Sequence, residues 1–219
     1  MSINKDNYNT LLQELPDNVC LVAVSKTKPV EDIQALYTLG QRDFGENYVQ
    51  ELTEKESLLP KDINWHFIGH LQSNKVKYIA PFVHLIHGVD SFKLLKEINK
   101  EAAKNNRTID CLLQMYIAKE ETKFGLDENE LRDILTQKKS LPHVRIRGLM
   151  GMASFTEDMN TVRQEFRNLH SIFKSIQDHN IGIDTLSMGM SGDYKIAIEE
   201  GSTMIRVGSL LFGARNYNQ

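Results

Sequence analysis

Lys26 is the residue of this chain best placed for covalent chemistry. It directly follows an apolar run, residues 19–25 (VCLVAVS). A lysine at the end of such a run is costly unless its charge is paired or its amine is neutral. A neutral amine there can condense with an aldehyde to give a Schiff base. A rim lysine that reaches back to water also satisfies the position, and position alone does not separate the two readings. A second signal lies far along the chain, in Gly189-Met190-Ser191-Gly192-Asp193 and in Gly208-Ser209. Glycines let backbone N–H groups approach an anion closely. Ordinary Gly-Ser turns are the plain alternative.

Other patterns fail on inspection. Ser25-x-x-Lys28 is too short to identify an acylating serine, and no partner motif follows. Gly189 to Gly192 resembles a nucleophile elbow, but Asp193 stands where its last glycine is required. His66 and His70 are four residues apart, roughly 13 Å along a strand, too far for one metal ion. Core or rim histidines are the better reading of both. No dinucleotide fingerprint or Walker loop is present. Cys20 and Cys111 lie in apolar runs and read as buried thiols, without a Cys-x-x-Cys motif.

The elements that must position these residues alternate regularly. Strands are expected near 19–25, 43–44, 65–68, 83–87, 109–117, 144–150, 185–188 and 204–211. Helices are expected near 30–39, 48–59, 75–80, 91–105, from Asp127 onward, through Val162, Phe166, Leu169, Phe173 and Ile176, and near 193–200. Asp127 with Glu130 three residues on forms a capping signature. Strict β/α alternation forces parallel pairing, because parallel strands need crossovers. Eight such units are the count that closes a barrel. In such a barrel the active face is the C-terminal ends of the strands, and the last two loops are the usual phosphate site. Lys26, Asn47, Ser191, Gly208 and Ser209 all fall there.

Composition sets the outer limits. A chain of 219 residues suits one α/β barrel, and the net charge of -3 offers no basic field for nucleic acid or an anionic membrane. Residues 1–15 lack the basic and then apolar blocks of a signal peptide, so a cytoplasmic location is expected.

Six segments, in order, resemble one known family: AVSKTKP (23–29), FGENYVQE (44–51), WHFIGHLQSNK (65–75), RGLM (147–150), LSMGMSGD (186–193) and GSTMIRVGSLLFGAR (201–215). Together they are similar to the pyridoxal 5′-phosphate (PLP) homeostasis proteins. That family is similar in turn to the N-terminal barrel of alanine racemase, the third structural class of PLP proteins. The resemblance implies a single (β/α)₈ TIM barrel over 1–219, with 1–18 a helical lead-in. It implies PLP bound as a Schiff base to Lys26. It puts Ser191 and the Gly208 and Ser209 backbone at the phosphate, Arg206 at the pyridine nitrogen and Asn47 near the ring, with Thr203 a further contact. Tyr116 stands where the family usually has Asn, Gly192 where an acidic residue is frequent, and Lys123 keeps the place of an auxiliary amine.

The expected role is non-catalytic: a vitamin B6 protein that buffers or delivers PLP, with apo PLP enzymes as recipients. An arginine never gives up its proton, so the ring nitrogen it faces stays unprotonated and a poor electron sink. Racemases of this class draw a second catalytic residue from a C-terminal β-domain. The chain stops at Gln219, so that residue is expected to be missing and the protein to be a monomer. No catalytic residue and no metal ligand are assigned. A small PLP-dependent amino-acid racemase is the rival reading. An aldolase-like barrel using Lys26 on a carbonyl substrate is the third.

Overall fold

The computed structural model describes residues 3–118 and 125–213. A leading helix α1 (Lys5–Glu14) precedes the strands. There follow β1 (Cys20–Val24), α2 (Val30–Thr38), β2 (Asp43–Glu46), α3 (Val49–Leu58), β3 (Asn64–Phe67), α4 (Val76–Ile79), β4 (Leu85–Val89) and α5 (Phe92–Lys104). The second half runs β5 (Ile109–Gln114), α6 (Glu128–Gln137), β6 (Val144–Met150), α7 (Met159–Gln177), β7 (Thr185–Ser187), α8 (Tyr194–Glu199), β8 (Met204–Val207) and α9 (Ser209–Phe212). The eight strands are all parallel and close in sequence order, with β1 pairing both β2 and β8.

Strand alternation divides the core into two layers. Val22, Leu85, Leu112, Met150 and Met204 point inward and fill the barrel lumen. The opposite strand faces join the helices in a larger shell that includes Phe44, Trp65, Ile86 and Phe166. α7 buries Val162, Phe166, Leu169, Phe173 and Ile176 along one stripe, the spacing read from the sequence. The β5–β6 register shifts between Cys111 and Leu112, beside Gly148. A Cβ on Gly148 would lie 1.7 Å from the Thr185 carbonyl oxygen, so only glycine lets β6 and β7 approach there.

Several expected boundaries move. β8 stops at Val207 rather than running to 211, because Gly208 turns the chain into α9. β5 ends at Gln114, short of 117, and Met115 makes only an isolated bridge to Leu126. β4 sits two residues later than expected, and β2 extends to Glu46.

The capping box of α6 forms as expected. Asp127 accepts from the Asn129 and Glu130 N–H groups, and Glu130 accepts from the Asp127 N–H. Asp127→Ala is expected to lower stability by about 1 kcal/mol. Urea unfolding would measure this, and an unchanged midpoint would show that the cap carries no stability.

Candidate functional site

Alternation along β1 carries the inward face from Val22 through Val24 to Lys26, at the C-terminal mouth of the barrel. A cavity of about 390 Å³ opens there, within the range of small-molecule sites. Lys26, Asn47, Ser191, Arg206, Gly208 and Ser209 all line it. Six strand ends or the loops beyond them supply its walls, since Ile68 and Met152 line it too.

The Lys26 loop is fixed from below by a buried polar cluster. Lys55 Nζ, on α3, donates to the Ser25 carbonyl at 2.8 Å, to Glu46 Oε1 at 2.8 Å and to Glu51 Oε1 at 2.6 Å. The Ser25 hydroxyl donates to Glu46 Oε1 at 2.6 Å, and the Thr27 N–H donates to Glu51 Oε1 at 2.6 Å. Thr27 has φ 63°, a left-handed conformation that a β-branched residue adopts only under constraint. The Glu51 bond to its N–H supplies one such constraint. Burial pushes the Glu46 carboxyl up to about 7, although Lys55 and Ser25 pull it down. Lys28 turns away to the C-terminal segment, donating to the Phe212 carbonyl at 2.8 Å.

The phosphate-type features meet across the cavity from Asn47. The Gly208 N–H donates to Ser191 Oγ at 3.2 Å, tying the loops after β7 and β8 together. A Cβ on Gly208 would press on Val24 at 3.3 Å, so the close packing of β8 on β1 favours glycine. Asn47 Oδ1 is buried and has no hydrogen-bond partner. A buried acceptor left in this state calls for a ligand or water to satisfy it.

Arg206 is 4% exposed. Its guanidinium donates to the Ser187 carbonyl at 2.9 Å, the Ser187 hydroxyl at 2.6 Å and the Gly151 carbonyl at 3.1 Å. These partners are all neutral, and burial pushes its pKa down to about 10, against a smaller upward pull from Asp193. It stays charged at neutral pH. The three bonds do not exhaust the donors of a guanidinium, so N–H groups remain for a ligand in the cavity.

Beneath Arg206 runs a feature that the sequence did not disclose. His87 Nδ1 lies 3.1 Å from Ser187 Oγ, His87 Nε2 lies 2.9 Å from His66 Nδ1, and His66 Nε2 lies 2.9 Å from Asp43 Oδ1. Burial pushes Asp43 up, but the His66 and Asn64 hydrogen bonds outweigh it and hold the carboxyl below its usual range. Burial holds His87 well below the ordinary histidine value, so it is neutral. A guanidinium only donates and a carboxylate only accepts. When each imidazole carries one hydrogen, a single arrangement satisfies every bond: Arg206 to Ser187, Ser187 to His87, His87 to His66, and His66 to Asp43. The chain spans the barrel from its C-terminal mouth to its N-terminal end.

Thr203 does not join the site. It precedes β8 at the opposite end of the barrel, where its hydroxyl accepts from the Leu186 N–H at 2.8 Å. His70 stands on the rim 3.3 Å from Asp90, and His66 points into the lumen, so the two do not converge. Tyr116 is 40% exposed, its N–H donates to the Leu126 carbonyl, and it does not line the cavity. Lys123 lies outside the described residues.

A closed parallel barrel with a lysine ending β1 and a Ser/Gly cradle after β7 and β8 defines a racemase-domain barrel. The family model described as alanine racemase, N-terminal domain, matches residues 4–216. The chain belongs to that family and, within it, to the pyridoxal phosphate homeostasis proteins. It is 44% identical over 206 residues to the pyridoxal phosphate homeostasis protein of Pasteurella multocida, covering 92% of this chain and 88% of that one. The protein of the same name from Aquifex aeolicus is 44% identical over 199 residues, 90% of this chain and 87% of its own. The structure of PipY from Synechococcus elongatus with PLP bound superposes with a TM-score of 0.88 at 37% identity, covering 95% of this chain and 99% of PipY.

Proposed function

We propose that this chain binds PLP through Lys26 and holds it as an exchangeable store for other proteins, without turning over amino acids itself. The family relationship supports the cofactor. The cavity supports it independently, because its residues fit each part of the group. PLP, when bound, supplies an aldehyde that bonds reversibly to an amine, an aromatic pyridine and a dianionic phosphate. Lys26 presents the amine on a loop that Lys55 and Glu51 hold in place. The Ser191 hydroxyl and the Gly208–Ser209 backbone line the cavity as the small, close-approaching groups that suit a phosphate. Arg206 retains donors for the pyridine nitrogen and keeps that nitrogen from taking a proton. The orphaned Asn47 Oδ1 gains a neighbour.

One observation carries the store reading over the racemase reading. Among the described residues, the ionisable side chains lining the cavity are Lys26, Lys28 and Arg206. No carboxylate, imidazole, phenol or thiol joins them. Racemisation needs a proton taken from one face of the substrate and delivered to the other. Arg206 keeps its proton, and Lys28 is committed to the Phe212 carbonyl. Among the described residues, no second positioned base stands beside Lys26.

The test combines two measurements on the PLP-loaded protein. Mixed with an apo-form PLP enzyme, it is expected to restore that enzyme's activity. Incubated with alanine in D₂O, it is expected to exchange the Cα hydrogen no faster than PLP alone. Lys26-dependent exchange at enzymatic rates would replace the store with a racemase.

A further inference from the structure

The barrel's other mouth holds three side chains that converge on one point. Asp43 opens β2, His66 lies in β3, and His84 immediately precedes β4. One ligand atom from each lies within 4.8 Å of the other two. We propose that Asp43, His66 and His84 form a binding site for a divalent transition-metal ion of the zinc, cobalt or nickel type, at the barrel end remote from Lys26. Two imidazoles and one carboxylate suit those borderline ions, whereas magnesium and calcium prefer all-oxygen sets.

Three features separate this cluster from a chance grouping. First, the ligands differ in how they are fixed. His66 is buried, Asp43 is half-buried and His84 is exposed. The inner two are held in register by β2–β3 pairing, while the exposed ring can turn to close on an ion. His66 Nε2 and Asp43 Oδ1 are already 2.9 Å apart. Bonds of about 2.0–2.2 Å around a tetrahedral ion call for ligand spacings of roughly 3.3 Å, so small adjustments suffice.

Second, His66 has the outer partner that metal-binding histidines need. Its Nδ1 is bonded to His87 Nε2 at 2.9 Å, which fixes the ring and aims Nε2 at the mouth. Third, the site faces solvent through the exposed His84, and three protein ligands leave further coordination positions open there, as in sites that exchange their ion or bind an outside ligand. The sequence concealed the set because the four-residue spacing of His66 and His70 draws attention to the wrong pair.

Occupancy would be felt across the barrel. An ion on His66 Nε2 takes the position of the proton now given to Asp43. His66 then carries its single proton on Nδ1 and donates to His87. His87 moves its own from Nε2 to Nδ1 and donates to Ser187, and the Ser187 hydroxyl hydrogen turns away. The number of protons on the three residues is unchanged. Only the direction of the chain reverses, as far as the serine that Arg206 touches.

The test uses full-length, untagged, chelator-treated protein. Co²⁺ titration at neutral pH is expected to give visible bands of a low-coordinate site with one ion per chain. Zn²⁺ is expected to compete for it. His84→Gln changes an exposed residue that carries none of the fold, and should weaken binding on the order of 100-fold. Saturating Zn²⁺ should switch the ¹⁵N shifts of His87 from the Nε2–H to the Nδ1–H form. Cobalt binding that is absent, or equally strong in His84→Gln, would overturn the proposal. So would a His87 tautomer that ignores saturating Zn²⁺.

Discussion

Lys26→Ala is expected to abolish the covalent attachment of PLP completely. The variant, mixed with PLP and dialysed, should show no visible band beyond that of free cofactor, and borohydride should fix no label to it. Ser191, Gly208, Ser209 and Arg206 remain, so a weaker non-covalent complex is expected. A loss of ~100-fold or more in affinity, roughly 3 kcal/mol, is the scale anticipated. The fold should survive, because Lys26 stands at the end of β1 and takes no part in the lumen packing. A urea midpoint near that of the wild type would establish that the loss is local. Lys28 makes the comparison sharp. It is two residues away and lines the same cavity, but it is bonded to the Phe212 carbonyl. A Lys26→Ala protein that still forms a reducible adduct on Lys28 would remove the assignment.

The second large effect concerns stability and is expected at Lys55. This ammonium is the shared donor of the cluster beneath the Lys26 loop, and its side chain is almost wholly buried beside Glu46. Lys55→Met leaves Glu46 charged in a low-dielectric pocket with only Ser25 donating to it. Losing one partner of a buried ion pair costs about 3–5 kcal/mol. The cost should depend on pH in a definite direction. Burial already holds the Glu46 carboxyl at about 7, above its ordinary 4.5. The folded protein therefore grips that proton more tightly than the unfolded chain does. The stabilisation from proton uptake is fully present below the ordinary value and is lost as pH rises through about 7. Without Lys55 the carboxyl rises further, so the Lys55→Met penalty should be largest at pH 8 and much smaller at pH 5. Glu46→Gln in the same background should restore most of the stability at pH 8. Urea unfolding at the two pH values distinguishes these outcomes. A penalty under about 1 kcal/mol, or one equal at both pH values, would show that the cluster does not carry this charge balance.

The residues whose positions were legible in the sequence are those set by their place on a single strand. Lys26 follows an apolar run, and the run's alternation is enough to aim it into the lumen. The glycines and serines after β7 and β8 were legible for the same reason, since barrel topology assigns those loops to one mouth. The capping box of α6 needed only four consecutive residues.

What stayed hidden is chemistry assembled across the barrel. Ser187 and His87 are 100 residues apart, and His66 and His87 are 21 apart. Their contact depends on strand register and on which face of each strand turns inward. No local pattern encodes that. The Lys55–Glu46–Glu51 cluster was hidden for a similar reason, because α3 must dock before its lysine meets Ser25. Thr203 came from the family resemblance rather than from its place on a strand. It lies just before β8, at the far end from the cavity, where its hydroxyl accepts from the Leu186 N–H.

Whether Lys26 holds PLP is decided by adding PLP to the purified protein, reducing with borohydride and mapping the modified peptide by mass spectrometry. One phosphopyridoxyl group per chain, on Lys26, is expected. A label on another lysine, or a protein left unmodified, would contradict it.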